Sequence, residues 1–358
     1  MNSLARFMGL TAAALACVSG AQAVEMEWVA VGDEGNAPDA RYETPGYGGV
    51  VYAYNIGKYE VTNAQYCEFL NAVAKYDPNG LYNPQMGGGW NDIGGIARSG
   101  MPGSYTYSVR DNRGRRPVNY VSWYDALRFA NWMHNGQPTG SQDASTTENG
   151  AYDMSLGSDV FRKVGARVFL PSEDEWYKAA YYKGGGVNTG YWDYATQSDT
   201  PPTAETPPGA DVTNGSANWY NGGYVDAMYY TTEVGAYSAK PSESAYETFD
   251  QAGNVWEWNE ADIYGDGSHR GMRGGAFYGI FTDNQHAAYR HNDYPTYEEQ
   301  GFGFRVAGIP GPEPIPAVSE WGLIVMVLLL LAVAMVVFGR RGAGHSLRRG
   351  SGGFKLFL

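Results

Sequence analysis

The spacing of apolar and polar positions predicts three short helices in the body of the chain. The first follows Thr62, a residue type that caps helices, and its apolar residues recur at helical spacing; they are Tyr66, Phe69, Leu70 and Val73. The second helix is expected to start at Ser122. The third is expected to follow Ser172 and to run to about Tyr182, with Glu175 completing a capping box.

Strand-like stretches are short, and segments rich in glycine, asparagine and proline separate them. They lie at 50–54, 166–170, 255–258 and 303–307, and the segments 78–115 and 184–231 are expected to be long loops. The 358 residues include 49 glycines, and 15% of the chain is aromatic. Because glycine costs about 1 kcal/mol per helical position, this composition disfavours a helical bundle. It favours a loop-rich α+β domain with an aromatic core.

The first 23 residues have the pattern of a secretory signal. Arg6 supplies the positive charge, an apolar stretch follows at 7–18, and the sequence AQA at 21–23 forms a cleavage site. The mature chain is therefore expected to begin at Val24. Alternatively, Cys17 is the anchor cysteine of a lipoprotein, although alanine rather than leucine stands three residues before it.

The C-terminal region has the pattern of a membrane anchor. After a proline-rich linker at 309–318, the segment 321–338 is apolar and uncharged, just long enough to cross the roughly 30 Å hydrocarbon layer. We expect a transmembrane helix at 319–339 and a basic cytoplasmic tail at 340–358, because arginine and lysine collect on the cytoplasmic side. A buried core helix is the alternative interpretation.

The octet IPAVSEWG at 315–322, the apolar stretch and the Arg340-Arg341 pair occur in that order. This arrangement resembles the C-terminal sorting signals of the IPTL/PEP-CTERM class in Gram-negative bacteria. The resemblance implies export, recognition by a sortase-like membrane peptidase and anchoring at the cell surface. Ala317 and Val318 stand where the commonest form of the motif has Thr-Leu.

Charge and cysteine content narrow the possible partners. Residues 24–318 carry 37 acidic and 19 basic side chains, and a net charge of roughly −18 disfavours a nucleic acid partner. Only two cysteines are present. Cys17 leaves with the signal, so Cys67 has no partner for a disulfide. Because Cys67 adjoins the apolar stripe of the first predicted helix, we expect it to be a small core residue.

Six sequence blocks follow one another across most of the chain. They are YEVTNAQY at 59–66, PVNYVSWYDA at 117–126, LPSEDEW at 170–176, GNVWEW at 253–258, RGGAF at 273–277 and GFRV at 303–306. Together they resemble the formylglycine-generating enzyme family, also called sulfatase-modifying factor domains. The resemblance spans about 27–308, essentially all of the expected domain at 24–308. The resemblance implies a variant of the C-type lectin fold with little regular secondary structure. In each block, caps, glycines and tryptophans also have ordinary structural roles.

The family's oxidase binds copper through a pair of cysteines shortly after its Gly-Gly block. Counted from Gly274 and Gly275, those positions fall on Gly279 and Asn284, which supply no thiolate. Since Cu(I) selects soft sulfur ligands, copper binding and formylglycine formation are not expected. The sequence has no other recognisable catalytic constellation.

A calcium site of the family does carry over by position. The resemblance implies ligands from Asp250, the carbonyl groups of Gly253 and Val255, and the carboxylate of Glu257. Oxygen ligands of these kinds suit Ca²⁺. The alternative is a tight turn in which Asp250 is a local cap.

Two classes of function remain. The first is a non-catalytic binding module that recognises an exported protein or a surface glycan through the segment 264–300, which is rich in tyrosine, glycine, asparagine and serine. We expect its ligand-binding residues to include Tyr278, Asn284, Tyr289 and Arg290. The second is an oxidoreductase of the formylglycine-generating type, or another modifying enzyme acting on exported proteins. A purely structural matrix protein is a third class.

Overall fold

A computed structural model describes residues 23–309 of the chain. Most of the expected signal peptide, the sorting octet, the transmembrane helix and the basic tail lie outside the described residues. Between residues 23 and 309, no helix has both the length and the apolar character that crossing a membrane requires.

The three helices form where the sequence places their caps. They are α1 (Asn63–Val73), α2 (Trp123–His134) and α3 (Glu173–Tyr181). Each begins with a capping box, in which the capping side chain and the residue three positions later exchange hydrogen bonds with each other's backbone N–H groups. These bonds satisfy donors that a helix end otherwise leaves unpaired. The prediction of three helices is confirmed.

The strands are short and belong to four sheets in residues 23–309. In chain order they are β1 (Trp28–Val31), β2 (Tyr54–Gly57), β3 (Ile96–Ser99), β4 (Thr106–Val109), β5 (Val168–Phe169), β6 (Thr203–Ala204), β7 (Ser216–Ala217), β8 (Trp256–Asp262), β9 (Arg270–Arg273), β10 (His291–Asp293), β11 (Phe302–Gly303) and β12 (Ala307–Gly308). One sheet has the order β1-β2-β12-β5 and another the order β10-β9-β8-β11. The remaining pairs are β3 with β4 and β6 with β7. The mixed α+β, loop-rich character expected from the composition is confirmed.

Several predicted strands are displaced in the structure. The stretch 50–54 overlaps β2 only at Tyr54, because Val51 is 79% exposed and lies outside the sheet. The stretch 303–307 is divided between β11 and β12, which belong to different sheets. Between them the chain crosses the core, where Phe304 and Val306 accept hydrogen bonds from Val61 and Gly57. The expected loop at 78–115 contains the β3–β4 hairpin.

Aromatic rings join the helices to the sheets. Phe129 of α2 lies 5.4 Å from Phe69 of α1 and 5.3 Å from Phe304, measured between ring centroids. Trp176 and Trp258 are fully buried. Large aromatic side chains each bury roughly 150–250 Å², so this cluster supplies the core that the composition predicts.

Candidate functional site

A buried ion pair lies at the centre of the GNVWEW segment. Arg305 contacts both carboxylate oxygens of Glu257, with Nε 2.5 Å from Oε2 and Nη2 2.6 Å from Oε1. Trp176 donates to Oε2 at 2.7 Å, and both charged side chains are 0% exposed. The pair forms because β11 runs parallel to β8 with Gly303 opposite Glu257. The chain therefore enters the core beside that carboxylate.

The other predicted calcium ligands surround this pair. Asp250 has φ +62° and accepts the N–H of Gly235 at 2.7 Å, and burial raises the pKa of Asp250 to about 6. Gly253 also has a positive φ, and a Cβ there would come within 2.2 Å of the Asn218 carbonyl oxygen, so only glycine fits. The N–H of Val255 donates to the carboxylate of Glu60.

The Glu257 carboxylate already has partners within the fold. Arg305 neutralises it and Trp176 donates to its Oε2 atom, so a calcium ion would compete with the Arg305 charge. Within the part of the chain that the structure describes, no three His, Cys, Asp or Glu side chains converge to hold a metal ion. The predicted site combines two carboxylates with two backbone carbonyl groups, and calcium binding at 250–257 stays a prediction.

The Gly274-Gly275 turn places positions 279 and 284 side by side. Both turn glycines have positive φ. A Cβ at Gly279 would lie 3.3 Å from the Asn284 Oδ1 atom, so two side chains at these positions would contact each other. Neither residue offers sulfur. Cys67 is 4% exposed within α1, as expected of a core residue, and burial raises its pKa to about 12. The residues present do not fit a copper ion.

The four predicted ligand-binding residues divide into separate environments. Tyr278 donates its hydroxyl to Glu299 at 2.9 Å, while Tyr289 stacks on Trp256 with ring centroids 5.8 Å apart. Asn284 belongs to a single 3₁₀ turn, Thr282–Gln285. The Arg290 guanidinium forms an ion pair with Glu173. Tyr289 is the most exposed tyrosine of the set, at 37%.

An aromatic surface that the sequence did not predict lies next to Gly279. We define it as Trp90, Tyr220, Tyr224 and Tyr230. Trp90 is 38% exposed, and its ring centroid lies 4.9 Å from that of Tyr230, which in turn lies 4.9 Å from Tyr224. Phe277 is the buried base of the cluster. The N–H of Tyr220 donates to the Gly279 carbonyl at 3.2 Å, which fixes the surface against the turn.

The aromatic surface was missed because its members come from loops that are distant in sequence. Trp90 lies in the predicted loop 78–115 and the tyrosines in the loop 184–231. Their only sequence signal is the high aromatic content of segments otherwise rich in glycine. Among the hydrogen bonds of residues 23–309, none involves the Trp90 indole N–H or the hydroxyls of these three tyrosines.

Two carboxyl groups meet at the N-terminus of α2. Asp125 accepts the N–H and the hydroxyl of Ser122, at 2.9 and 2.6 Å. Glu298 is hydrogen-bonded to Asp125 and accepts from the side-chain amide of Asn83. Burial, and next the neighbouring Asp125 charge, raise the pKa of Glu298 to about 8. The raised pKa favours a proton held between the two carboxyl groups.

Comparison with known proteins identifies the class of this domain. Residues 18–308 match the sequence profile described as a sulfatase-modifying factor enzyme 1-like domain. The chain therefore belongs to the formylglycine-generating enzyme (FGE-sulfatase) family, as its sequence blocks indicated. Residues 313–342 match the IPTL-CTERM motif, which indicates an exported, surface-associated protein that is processed and anchored.

Individual relatives are distant. The chain is 25% identical over 291 residues to the serine/threonine-protein kinase pkn1 of Chlamydia caviae and 24% identical over 291 residues to pkn1 of Chlamydia pneumoniae. Each alignment covers 76% of this chain but only 36% of the relative. The chain thus spans about a third of the length of these curated relatives.

Two solved structures that resemble the chain are distant from it in sequence. Treponema denticola variable protein 1 is 22% identical, with a TM-score of 0.46 over 80% of this chain and 96% of that one. CarF is 20% identical, with a TM-score of 0.47 over 80% of this chain and 99% of that one.

Proposed function

We propose that the domain at 24–308 is a non-catalytic binding module displayed at the cell surface, with an exported protein or a surface glycan as its ligand. The observation that carries this proposal is the aromatic surface of Trp90, Tyr220, Tyr224 and Tyr230 beside the Gly274-Gly275 turn. Tyrosine and tryptophan give rigid contact area with a polar tip, and such residues dominate many recognition surfaces.

The composition of this surface supports binding rather than redox chemistry. Its rings are partly exposed, and their polar tips are not used by hydrogen bonds within residues 23–309. No charged side chain belongs to it. The nearby arginines have acidic partners: Asp92 pairs with Arg110 and Arg113, and Asp226 pairs with Arg116. A ligand would therefore meet aromatic faces and neutral hydrogen-bonding groups.

The alternative function is an oxidoreductase of the formylglycine-generating type, or another modifying enzyme that acts on exported proteins. Family membership keeps this alternative open. Against the copper route stand Gly279 and Asn284, which have no thiolate, and Cys67, whose burial raises its pKa to about 12. Sulfur ligands are what Cu(I) selects, so we derive no step through copper.

Two measurements on the purified full-length protein test the proposal. In the first, the protein is incubated with Cu(I), oxygen and a peptide of the sulfatase type, Cys-x-Pro-x-Arg. We expect no loss of the peptide thiol beyond a control without protein. Catalytic turnover would contradict the proposal and favour the modifying enzyme.

The second measurement is binding to an array of bacterial surface polysaccharides and to purified exported proteins. We expect Trp90→Ala to weaken the binding at least tenfold. Truncating an aromatic residue that anchors an interface commonly costs about 2 kcal/mol or more of binding free energy. Trp28→Ala is the matched control, since Trp28 is 36% exposed and Trp90 is 38% exposed. Equal losses in both variants, or no loss in either, would remove the aromatic surface from the binding site.

A further inference from the structure

A half-enclosed cavity of about 330 Å³ lies away from the aromatic surface. Its residues come from the segments 158–162 and 260–267, together with Trp123, Tyr152 and Arg270. Cavities of a few hundred Å³ with a few convergent polar groups are the usual sites of small ligands. Neither the family assignment nor the proposed function uses this cavity.

The floor of the cavity carries an arginine with an unusual environment. Arg270 is 5% exposed, and its guanidinium stacks over Trp123 at 4.0 Å from the ring centroid. Its Nη2 atom donates to the Ser158 carbonyl at 2.7 Å, while its Nε atom is buried without a partner. Within residues 23–309, no carboxylate oxygen lies within 4.0 Å of this guanidinium. Burial lowers the pKa of Arg270, and the negative charges of Asp262, Glu260 and Asp159 oppose that shift from beyond this distance.

The other deeply buried arginines are different. Arg273 and Arg305 are 0% exposed, and Glu173 and Glu257 respectively neutralise them at short distance. Arg113 is 5% exposed and lies 3.3 Å from a carboxylate oxygen of Asp92. Because a buried guanidinium without a direct ion pair is unfavourable, proteins rarely keep one without a use. Arg270 therefore points to an anionic group that enters the cavity.

The rim of the cavity has the opposite charge. Asp159, Asp262 and Asp266 line it, and Asp159 is exposed. The two other charged residues in the lining, Arg162 and Glu260, pair with each other at 2.6 Å. This leaves one cation at the floor and three carboxylates around it. A ligand that carried only negative charge would be repelled by the rim, and one that carried only positive charge would leave Arg270 unpaired.

We propose that this cavity binds a small zwitterion of the α-amino-acid type, with its carboxylate on the Arg270 guanidinium and its ammonium group among Asp159, Asp262 and Asp266. The two charges of an amino acid lie close together, as the cationic floor and acidic rim require. Phe161 is 66% exposed beside the cavity and offers an apolar contact for the side chain of the ligand. The site is independent of the aromatic surface.

Isothermal titration of the full-length protein tests this site. L-alanine and L-leucine are titrated separately, with acetate and L-alaninamide as probes that keep only the carboxylate or only the ammonium group. We expect binding of at least one amino acid and at least tenfold weaker binding of both single-charge probes. Binding of acetate or of the amide as tightly as the amino acid overturns the zwitterion assignment, and so does failure of both amino acids to bind.

Variants locate the site. Arg270→Met is expected to weaken binding at least tenfold and to change the melting temperature little, because methionine keeps an apolar contact with Trp123 and the guanidinium that it removes makes no direct ion pair in the fold. Asp159→Asn alters only an exposed rim residue and is expected to weaken binding severalfold. Asp111→Asn, another exposed aspartate outside the cavity, is the matched control and should bind as the wild type does. Unchanged binding in both Arg270→Met and Asp159→Asn would exclude this cavity as the site.

Discussion

Arg305 and Glu257 form a two-point ion pair with both side chains fully excluded from solvent. The remaining guanidinium donors bind the carbonyl groups of Gly57 and Phe249, at 3.0 and 2.8 Å. The Arg305 side chain thus connects β2, the segment 249–257 and the residues that follow β11. Because Glu257 lies in the GNVWEW block and Arg305 in the GFRV block, two separate family motifs meet in a single contact.

Breaking this pair is expected to destabilise the fold strongly. Glu257→Gln leaves the Arg305 charge buried without its partner, which typically costs about 3–5 kcal/mol. Urea unfolding of the full-length protein measures the loss. The control is Glu233→Gln, since Glu233 and its partner Arg115 are 51% and 65% exposed and such pairs contribute at most about 1 kcal/mol. Comparable small losses in both variants would show that the buried pair is not a stabilising element.

Calcium is expected to add little stability at 250–257, because Arg305 already neutralises the Glu257 carboxylate and Trp176 donates to it. Thermal melts of the full-length protein in excess calcium and in EDTA should therefore have closely similar midpoints. An ion that binds only the folded form, at about 100 times its dissociation constant, would add roughly 2.7 kcal/mol. A gain of that size, lost in Asp250→Asn, would show that the family's calcium site forms here after all.

Cys67 is expected to be unreactive in the native protein. Burial raises its pKa to about 12, so the nucleophilic thiolate is scarce at neutral pH. A chromogenic disulfide reagent should label it only after unfolding in urea, with Cys67→Ser as the control for other thiols. Rapid labelling of Cys67 in native conditions would mean that α1 opens readily or that the thiol is accessible.

The Asp125–Glu298 pair is expected to make stability depend on pH. The pKa of Glu298 is about 8 in the folded protein, above its ordinary value of 4.5, so the native state binds the extra proton. The contribution of this group is therefore fully present below about pH 4.5 and is lost as the pH rises through about 8.

The measurement is the difference in unfolding free energy between the wild type and Glu298→Gln across that range. We expect the wild type to lose stability relative to the variant as the pH rises, because glutamine keeps a neutral donor beside Asp125. Glu299→Gln is the control. Glu299 is the next residue in the chain, but its carboxylate accepts a hydrogen bond from Tyr278 and is not paired with Asp125. A difference that does not change with pH would show that the pair shares no proton.

Local features of this protein were predictable from the sequence, because the interactions that make them join near neighbours. The caps of α1, α2 and α3 bind residues three positions ahead, so Thr62, Ser122 and Ser172 determine where the helices start. The sequence blocks likewise identified the family, and the aromatic content predicted the kind of core.

Only the tertiary structure decided which distant residues meet. In the structure, the residues 303–307 are divided between two sheets, and Arg290 pairs with Glu173. Trp90 packs against tyrosines from another loop. The tertiary structure also paired Glu257 with Arg305, 48 residues away, and within residues 23–309 it left Arg270 without a carboxylate oxygen inside 4.0 Å. Each of these contacts depends on the course of the whole segment that connects the two partners. In a domain built largely from loops, no short-range periodicity encodes that path.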